Sequence, residues 1–292
     1  MIIDGHAHLF HPKVISNVKK KEEMVDFLRL QADGAEDRIG VSFLEEELKS
    51  NAVQGCFILP TAGAKEVGKV NESSYMTVET SDLLYTAGTL HPEYSDNRQE
   101  LVKFKQRNIK GIKLCSFSQK FALDDPKTFD MFNLIRQFNI TEQSGFFVII
   151  DTLYGADTFF GGNSEHNTTP ELLGSLVKNF PEINFIAAHM GGLAAPFNDI
   201  YTHLCPMDNL FFDTSNAAHV LEENQFVALL KAHGPEHIIF GTDWPWFTHA
   251  PEIDLQHRML TRAGYSKDDM ERVFSKNIIR LSGLAVFMDS GV

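Results

Sequence analysis

Short apolar runs alternate with amphipathic segments along the whole of this 292-residue chain, and no other feature limits its fold as much. Eight runs, at 1–4, 55–59, 84–90, 111–115, 146–151, 184–189, 209–213 and 237–243, read as buried strands. Helical patterns with recognisable starts lie between them. Thr169-Pro170 sets a capping hydroxyl before a first-turn proline, and Leu172, Leu173, Leu176, Val177 and Phe180 then mark one face. Asp125-Pro126 opens a second helix with Phe129, Phe132 and Ile135 on its buried side. Ser266 and Asp269 resemble a capping box before Met270, Val273 and Phe274.

Strands that each lead into helical or loop material predict an α/β fold, a single (β/α)8 TIM-barrel domain over 1–292. A doubly wound open sheet is the alternative. The barrel is preferred because chemistry-bearing residues end several strands, including the first and the last. Closing the sheet makes those two neighbours. The segment 14–50 is long for a connection and reads as a helical insertion near the barrel mouth, with Met24, Phe27, Leu28 and Leu30 at helical spacing. A solvated surface helix is the plainer account of the same residues.

A hydrophobic content of 43% supports a large core, and a net charge of −13 disfavours nucleic acid and anionic membrane surfaces as partners. The three cysteines, Cys56, Cys115 and Cys205, are scattered and odd in number. That is no disulfide framework, so a reducing cytoplasm is the expected setting. No secretory signal pattern or membrane-spanning run is visible. A small-molecule substrate is the expected partner, and a homodimer is compatible with the sequence.

His6 and His8 stand at i, i+2 at the carboxyl end of the first run, where alternate side chains leave a strand on the same face. Asp243 ends the last run and His189 another. Imidazole and carboxylate converging from different strands suit a divalent metal such as zinc, manganese or iron. His-x-His alone is weak; its conjunction with His189 and with Gly241-Thr242-Asp243-Trp244-Pro245 is much stronger.

Ile3-Asp4-Gly5-His6-Ala7-His8, His189-Met190-Gly191-Gly192 and Gly241-Thr242-Asp243-Trp244-Pro245 together resemble the amidohydrolase superfamily. The nearest branch is the amidohydrolase-related one, similar to aminocarboxymuconate-semialdehyde decarboxylase and its relatives. Leu90-His91-Pro92 and Gly111-Ile112-Lys113-Leu114 add to the likeness. The resemblance implies a metal-dependent barrel in which water activated by the ion attacks the carbonyl of an amide, ester or lactone. It also implies His6, His8 and Asp243 as ligands, Asp243 and His189 as proton-transfer groups, and Lys113 either as a cation that orients a carboxylated substrate or as a carbamylated bridge between two metals.

The chain departs from the family on its fifth strand, where Asp151 stands in place of a metal-binding histidine. Asp151 is expected as a fourth ligand, which would cancel the site's remaining positive charge and favour manganese over zinc. It is otherwise a base that leaves His189 to complete the coordination, or the mark of an impaired barrel that binds without turnover. His166 in the following loop is a replacement ligand or a surface histidine. Non-oxidative decarboxylation is the rival chemistry, with Lys113, Arg29 or Arg38 facing a carboxylate. His11, His91, His203, His219 and His249 lie near strand ends, some of them expected to line the pocket. Trp244-Pro245-Trp246-Phe247 is expected either to stack on a planar substrate or to pack the last loop against the first.

Overall fold

The computed structural model describes residues 1–284. Its strands are β1 (Ile3–Ala7), β2 (Gly55–Ile58), β3 (Leu84–Thr86), β4 (Gly88–Thr89), β5 (Gly111–Leu114), β6 (Phe147–Ile150), β7 (Asn184–Ala187), β8 (Leu210–Asp213) and β9 (Ile238–Ile239). All pair in parallel, in the orders β1-β2-β3 and β4 to β9. β3 and β4 form one stave interrupted at Ala87, whose N–H donates to Ile58 O at 3.1 Å. The eight staves close into the (β/α)8 barrel. Across the seam, Gly5 N donates to Phe240 O at 2.8 Å, Asp243 N to His6 O at 2.9 Å and His8 N to Trp244 O at 2.8 Å.

Two apolar layers explain why the runs are nearly continuous rather than alternating. Phe57, Phe147, Ile149, Ile186, Phe211 and Ile239 fill the barrel, with Ile278 and Leu281 of the helix Asn277–Ser282 packed among them. Val148, Ile150, Phe185 and Phe212 face outward onto helical side chains such as Phe104, Phe132, Leu173 and Leu260. The expected helix starts are present. Thr169 Oγ1 accepts from Leu172 N, and Ser266 with Asp269 forms a reciprocal capping box.

Two strand expectations need correction. The first strand is Ile3–Ala7, so His6 lies within it rather than beyond it. The last shrinks to Ile238–Ile239. There the chain leaves regular pairing because Phe240 N donates to Val273 O, at 2.9 Å, inside the π-helical turn Arg272–Lys276. Asp243 therefore sits past the strand, in a turn with φ of 64°.

The segment after β1 contains the helices Pro12–Lys19, Glu22–Phe27 and Val41–Ser50. Ile15, Val18, Met24 and Leu28 pack with Trp246, Phe247 and Leu193 from the strand-end loops. Trp246 and Phe247 are thus buried packing residues joining the last loop to the first. Among the described residues no helix is long and apolar enough to cross a membrane.

One close approach on the outer layer is testable. A methyl group at Gly88 would overlap the ring of Phe104, itself fully buried. Gly88→Ala is expected to lower the unfolding free energy by about 2 kcal/mol in urea. Adding Phe104→Leu should recover part of the loss; an unchanged midpoint for the single variant would count against this packing.

Candidate metal centre

A bulge in β1 builds the site. Ile3 belongs to the inner core, and Gly5 also faces inward against Ile239. Ala7, two residues on, packs outward with Leu44, Cys56 and Leu84. The register against β2 shifts between Asp4 and Ala7, so the inward parity passes from odd to even residues. His6 and His8 thereby both turn into the barrel mouth. Asp4 holds the bulge: its Oδ1 accepts from His6 N at 2.9 Å and from Thr242 N at 3.1 Å.

Each of the two imidazoles has one nitrogen committed. His6 Nδ1 lies 2.8 Å from Asp213 Oδ2, and His8 Nδ1 lies 3.0 Å from Leu59 O. Both partners are acceptors, so both Nδ1 atoms donate and both Nε2 atoms carry lone pairs. Those Nε2 atoms face each other at 3.1 Å. Asp243 Oδ1 stands 3.9 Å from the first and 3.6 Å from the second. Burial, above all, lowers the pKa of His6, and it drives that of His8 well below the ordinary value with His6 adding to the effect. The rings are therefore neutral, and two lone pairs and a carboxylate surround one point. This donor set fits a divalent metal ion.

His189 follows β7 with φ of 54° and lies 5.0 Å, centroid to centroid, from His6. Its Nδ1 is 2.9 Å from Ser215 O, and its Nε2 is 3.7 Å from Asp151 Oδ2. Burial opposes charge on this ring, yet Asp151, Asp243 and Asp213 outweigh it and raise its pKa to about 9. Lys113 Nζ, with its side chain 1% exposed, has no hydrogen-bond partner among the described residues and stands 3.5 Å from Asp151 Oδ2. Burial resists ionisation of Asp151, but Lys113 and His189 hold its carboxyl well below the usual range. Burial pushes Asp243 up to about 7 against the pull of His189.

The structure thus brings His6, His8 and Asp243 into one cluster and His189 beside it. Asp151 is not in that three-residue cluster and reaches Lys113 and His189 instead. The remaining histidines are engaged elsewhere. His91 bonds Gln119 O, His219 pairs with Glu252 and stacks on Phe247, and His11 caps the helix Pro12–Lys19. His203 lies in the last turn of the helix Phe197–His203, and His166 is in none of the clusters. His249 is fully buried against Asp4. Arg38 ties up Gln31 O and Asp33 O within the insertion, and Arg29 lines a surface groove with Phe27 and Leu221.

Sequence reasoning missed Asp213. Its Oδ2 fixes His6, while Oδ1 accepts from His189 N at 2.9 Å, Ser215 N at 3.2 Å and the Ser215 hydroxyl. The signal was present, since this strand also ends in a carboxylate.

Residues 97–284 match the profile of the family described as amidohydrolase. The chain belongs to the amidohydrolase family of enzymes. No curated protein sequence matches it. The barrel is similar to 5-carboxyvanillate decarboxylase from Sphingomonas paucimobilis, at 17% identity over 97% of this chain and 99% of that one, with a TM-score of 0.67. It is similar to a zinc-bound amidohydrolase from Burkholderia multivorans, at 11% identity, 97% and 99% coverage and a TM-score of 0.70. The manganese-bound 5-carboxyvanillate decarboxylase of Novosphingobium aromaticivorans shares 14% identity over 97% and 96% of the two chains, with a TM-score of 0.67.

Two outcomes test this amidohydrolase's buried network. Asp213→Ala strands the donors of His6, His189 and Ser215, and should cost about 3 kcal/mol of unfolding free energy in metal-free protein. A loss under about 1 kcal/mol by chemical denaturation would contradict the network. His249 supplies a pH signature. Burial opposes its charge, but the carboxylates of Asp4 and Glu47 raise its pKa from 6.5 to about 9. A raised pKa stabilises the fold fully below the unfolded value, and the contribution fades as pH rises through the folded one. The stability gap between the native protein and His249→Gln should therefore be larger near pH 6 than near pH 10. A gap that grows with pH would refute the charged state.

Proposed function

We propose that this amidohydrolase is a metal-dependent hydrolase acting on the carbonyl of an amide, ester or lactone in a small carboxylated molecule. The observation that carries the reading is the pair of Nε2 lone pairs facing each other at 3.1 Å, with both Nδ1 atoms committed as donors. His6, His8 and Asp243 would hold a zinc or manganese ion. Such an ion, when bound, acidifies water and polarises a carbonyl.

The chain's own residues supply the rest. His189 gives or takes a proton at Nε2, the atom its Ser215 hydrogen bond leaves free. Asp243 accepts a proton on its second carboxylate oxygen, while Oδ1 is turned toward the histidine pair. Lys113 presents to a substrate carboxylate an ammonium that has no hydrogen-bond partner among the described residues. Asp151 is the counter-ion that aligns Lys113 and His189 beside the metal cluster, rather than a fourth ligand within it.

Decarboxylation is the second reading. Lys113 favours it, because a buried ammonium suits a carboxylate that neighbours the departing one. The likeness to 5-carboxyvanillate decarboxylase favours it too. In that case His189 protonates the carbon that loses carbon dioxide.

Elemental analysis, followed by assays of zinc- and manganese-loaded protein on lactones, amides and carboxylated hydroxyaromatics, separates the readings. About one equivalent of metal, lost in His8→Ala, is expected, with hydrolysis products that disappear on chelation. Lys113→Gln should raise KM for carboxylated substrates by about tenfold, and Asp151→Asn should keep the metal and lower kcat. Carbon dioxide without hydrolysis products assigns the carboxy-lyase chemistry. Less than about a tenth of an equivalent of metal and no turnover make the protein a binding barrel.

A further inference from the structure

Behind the metal cluster, His249 and Glu47 converge on Asp4. His249, the first residue of the helix His249–Ala263, is fully buried, and its Nε2 lies 3.1 Å from Asp4 Oδ2. Its backbone N–H donates to Glu47 Oε1 at 2.9 Å, and its Nδ1 stands 3.6 Å from the same oxygen. Glu47 belongs to the helix Val41–Ser50 in the segment after β1. Asp4 passes the connection on to both halves of the cluster. Oδ1 receives His6 N and Thr242 N, and Oδ2 receives Thr242 Oγ1 at 2.5 Å. His6 is one candidate ligand, and Thr242 directly precedes another, Asp243.

We propose that Glu47 and His249 are positioning residues: through Asp4 they hold the β1 bulge and the Thr242 turn in the register that brings His6, His8 and Asp243 to one point. The inference rests on the metal-site reading. Its geometry is specific to that purpose. A carboxylate with only Thr242 as partner could rotate away from His6 N. The imidazole bound to its second oxygen blocks that rotation, and Glu47 in turn anchors His249 by its backbone N–H and sets a carboxylate 3.6 Å from Nδ1 on the far side of the ring. The helix Val41–Ser50 is thereby mechanically joined to the metal cluster without contributing a ligand.

Cobalt(II) is the probe, added to metal-free full-length protein and followed by its visible absorption and by titration. Native protein is expected to bind about one equivalent. Glu47→Ala should weaken affinity about tenfold, and His249→Ala by ten- to a hundredfold, each with altered band positions. Glu47→Gln keeps the acceptor for His249 N and should restore the native spectrum. Gly88→Ala, on the outer layer, controls for simple destabilisation and should leave affinity and spectrum unchanged. Glu47 is a partly exposed side chain, so its variants keep the test decisive if His249→Ala does not fold. Native affinity and spectrum in Glu47→Ala, or a Glu47→Gln no better than Glu47→Ala, would overturn the positioning role alone. Failure of native protein to bind cobalt would overturn the metal-site reading, and this role with it.

Discussion

The carboxylate of Asp4 is the constraint on which the site depends. It lies in the seam where the first stave meets the last, and β9 is only two residues long. An ordinary ladder therefore does not carry the seam up to the barrel mouth. Beyond Ile239 the chain is held by Val273 O, by His6 O and by Asp4. A fully buried carboxylate is costly unless its lone pairs are met, and here four donors meet them. The same four bonds close the barrel and rotate the histidine pair inward, so closure and site assembly are one event.

The orientation of the ligands depends on acceptors behind them. Asp213 and Leu59 O each take the Nδ1 proton of one imidazole, which leaves both lone pairs aimed at the same place. Were either ring flipped to the other tautomer, an N–H would point at the neighbouring ring's nitrogen and the pair would close on itself as a hydrogen bond. Asp213 is thus as necessary to the arrangement as the histidines, although it faces away from the cluster's centre. Its second oxygen, on His189 N, ties the ring that flanks the cluster to the ring within it.

Much of this was legible in the chain. The apolar runs located every stave because burial on both faces leaves continuous hydrophobic stretches, which are hard to miss. The i, i+2 spacing correctly put His6 and His8 on one face. Which face that was depends on the bulge, and period-two counting from Ile3 would have turned both outward. Nothing in the pattern marks a bulge whose cause is a side chain hydrogen-bonded two residues along. Asp243 and His189 read as strand ends, whereas both lie just past them in left-handed turns. A run of apolar residues does not show where pairing stops. Asp213 escaped notice because a carboxylate at a strand end looks the same whether it faces a ligand or supports one. His249 was grouped with pocket histidines by its place after the last strand. Its contacts are with residues 4 and 47, a long-range placement that sequence spacing does not encode.

The electrostatics on the other side of the cluster favour an anionic substrate whichever bond is broken. Lys113 and a protonated His189 are two cations sharing one carboxylate, Asp151. The ammonium is buried, lies 3.5 Å from that carboxylate and makes no hydrogen bond among the described residues. An ammonium held this way has given up its hydration without full replacement, a cost of several kcal/mol for an ion in the interior. A substrate carboxylate would restore the missing acceptors at the point where Asp151 is 19% exposed. Asp151 limits how strongly that ligand is held, because it already offsets part of the charge. On the proposed reading, the departure from a neutral fifth-strand histidine acts first on the substrate's grip and on His189, and only through them on the metal cluster.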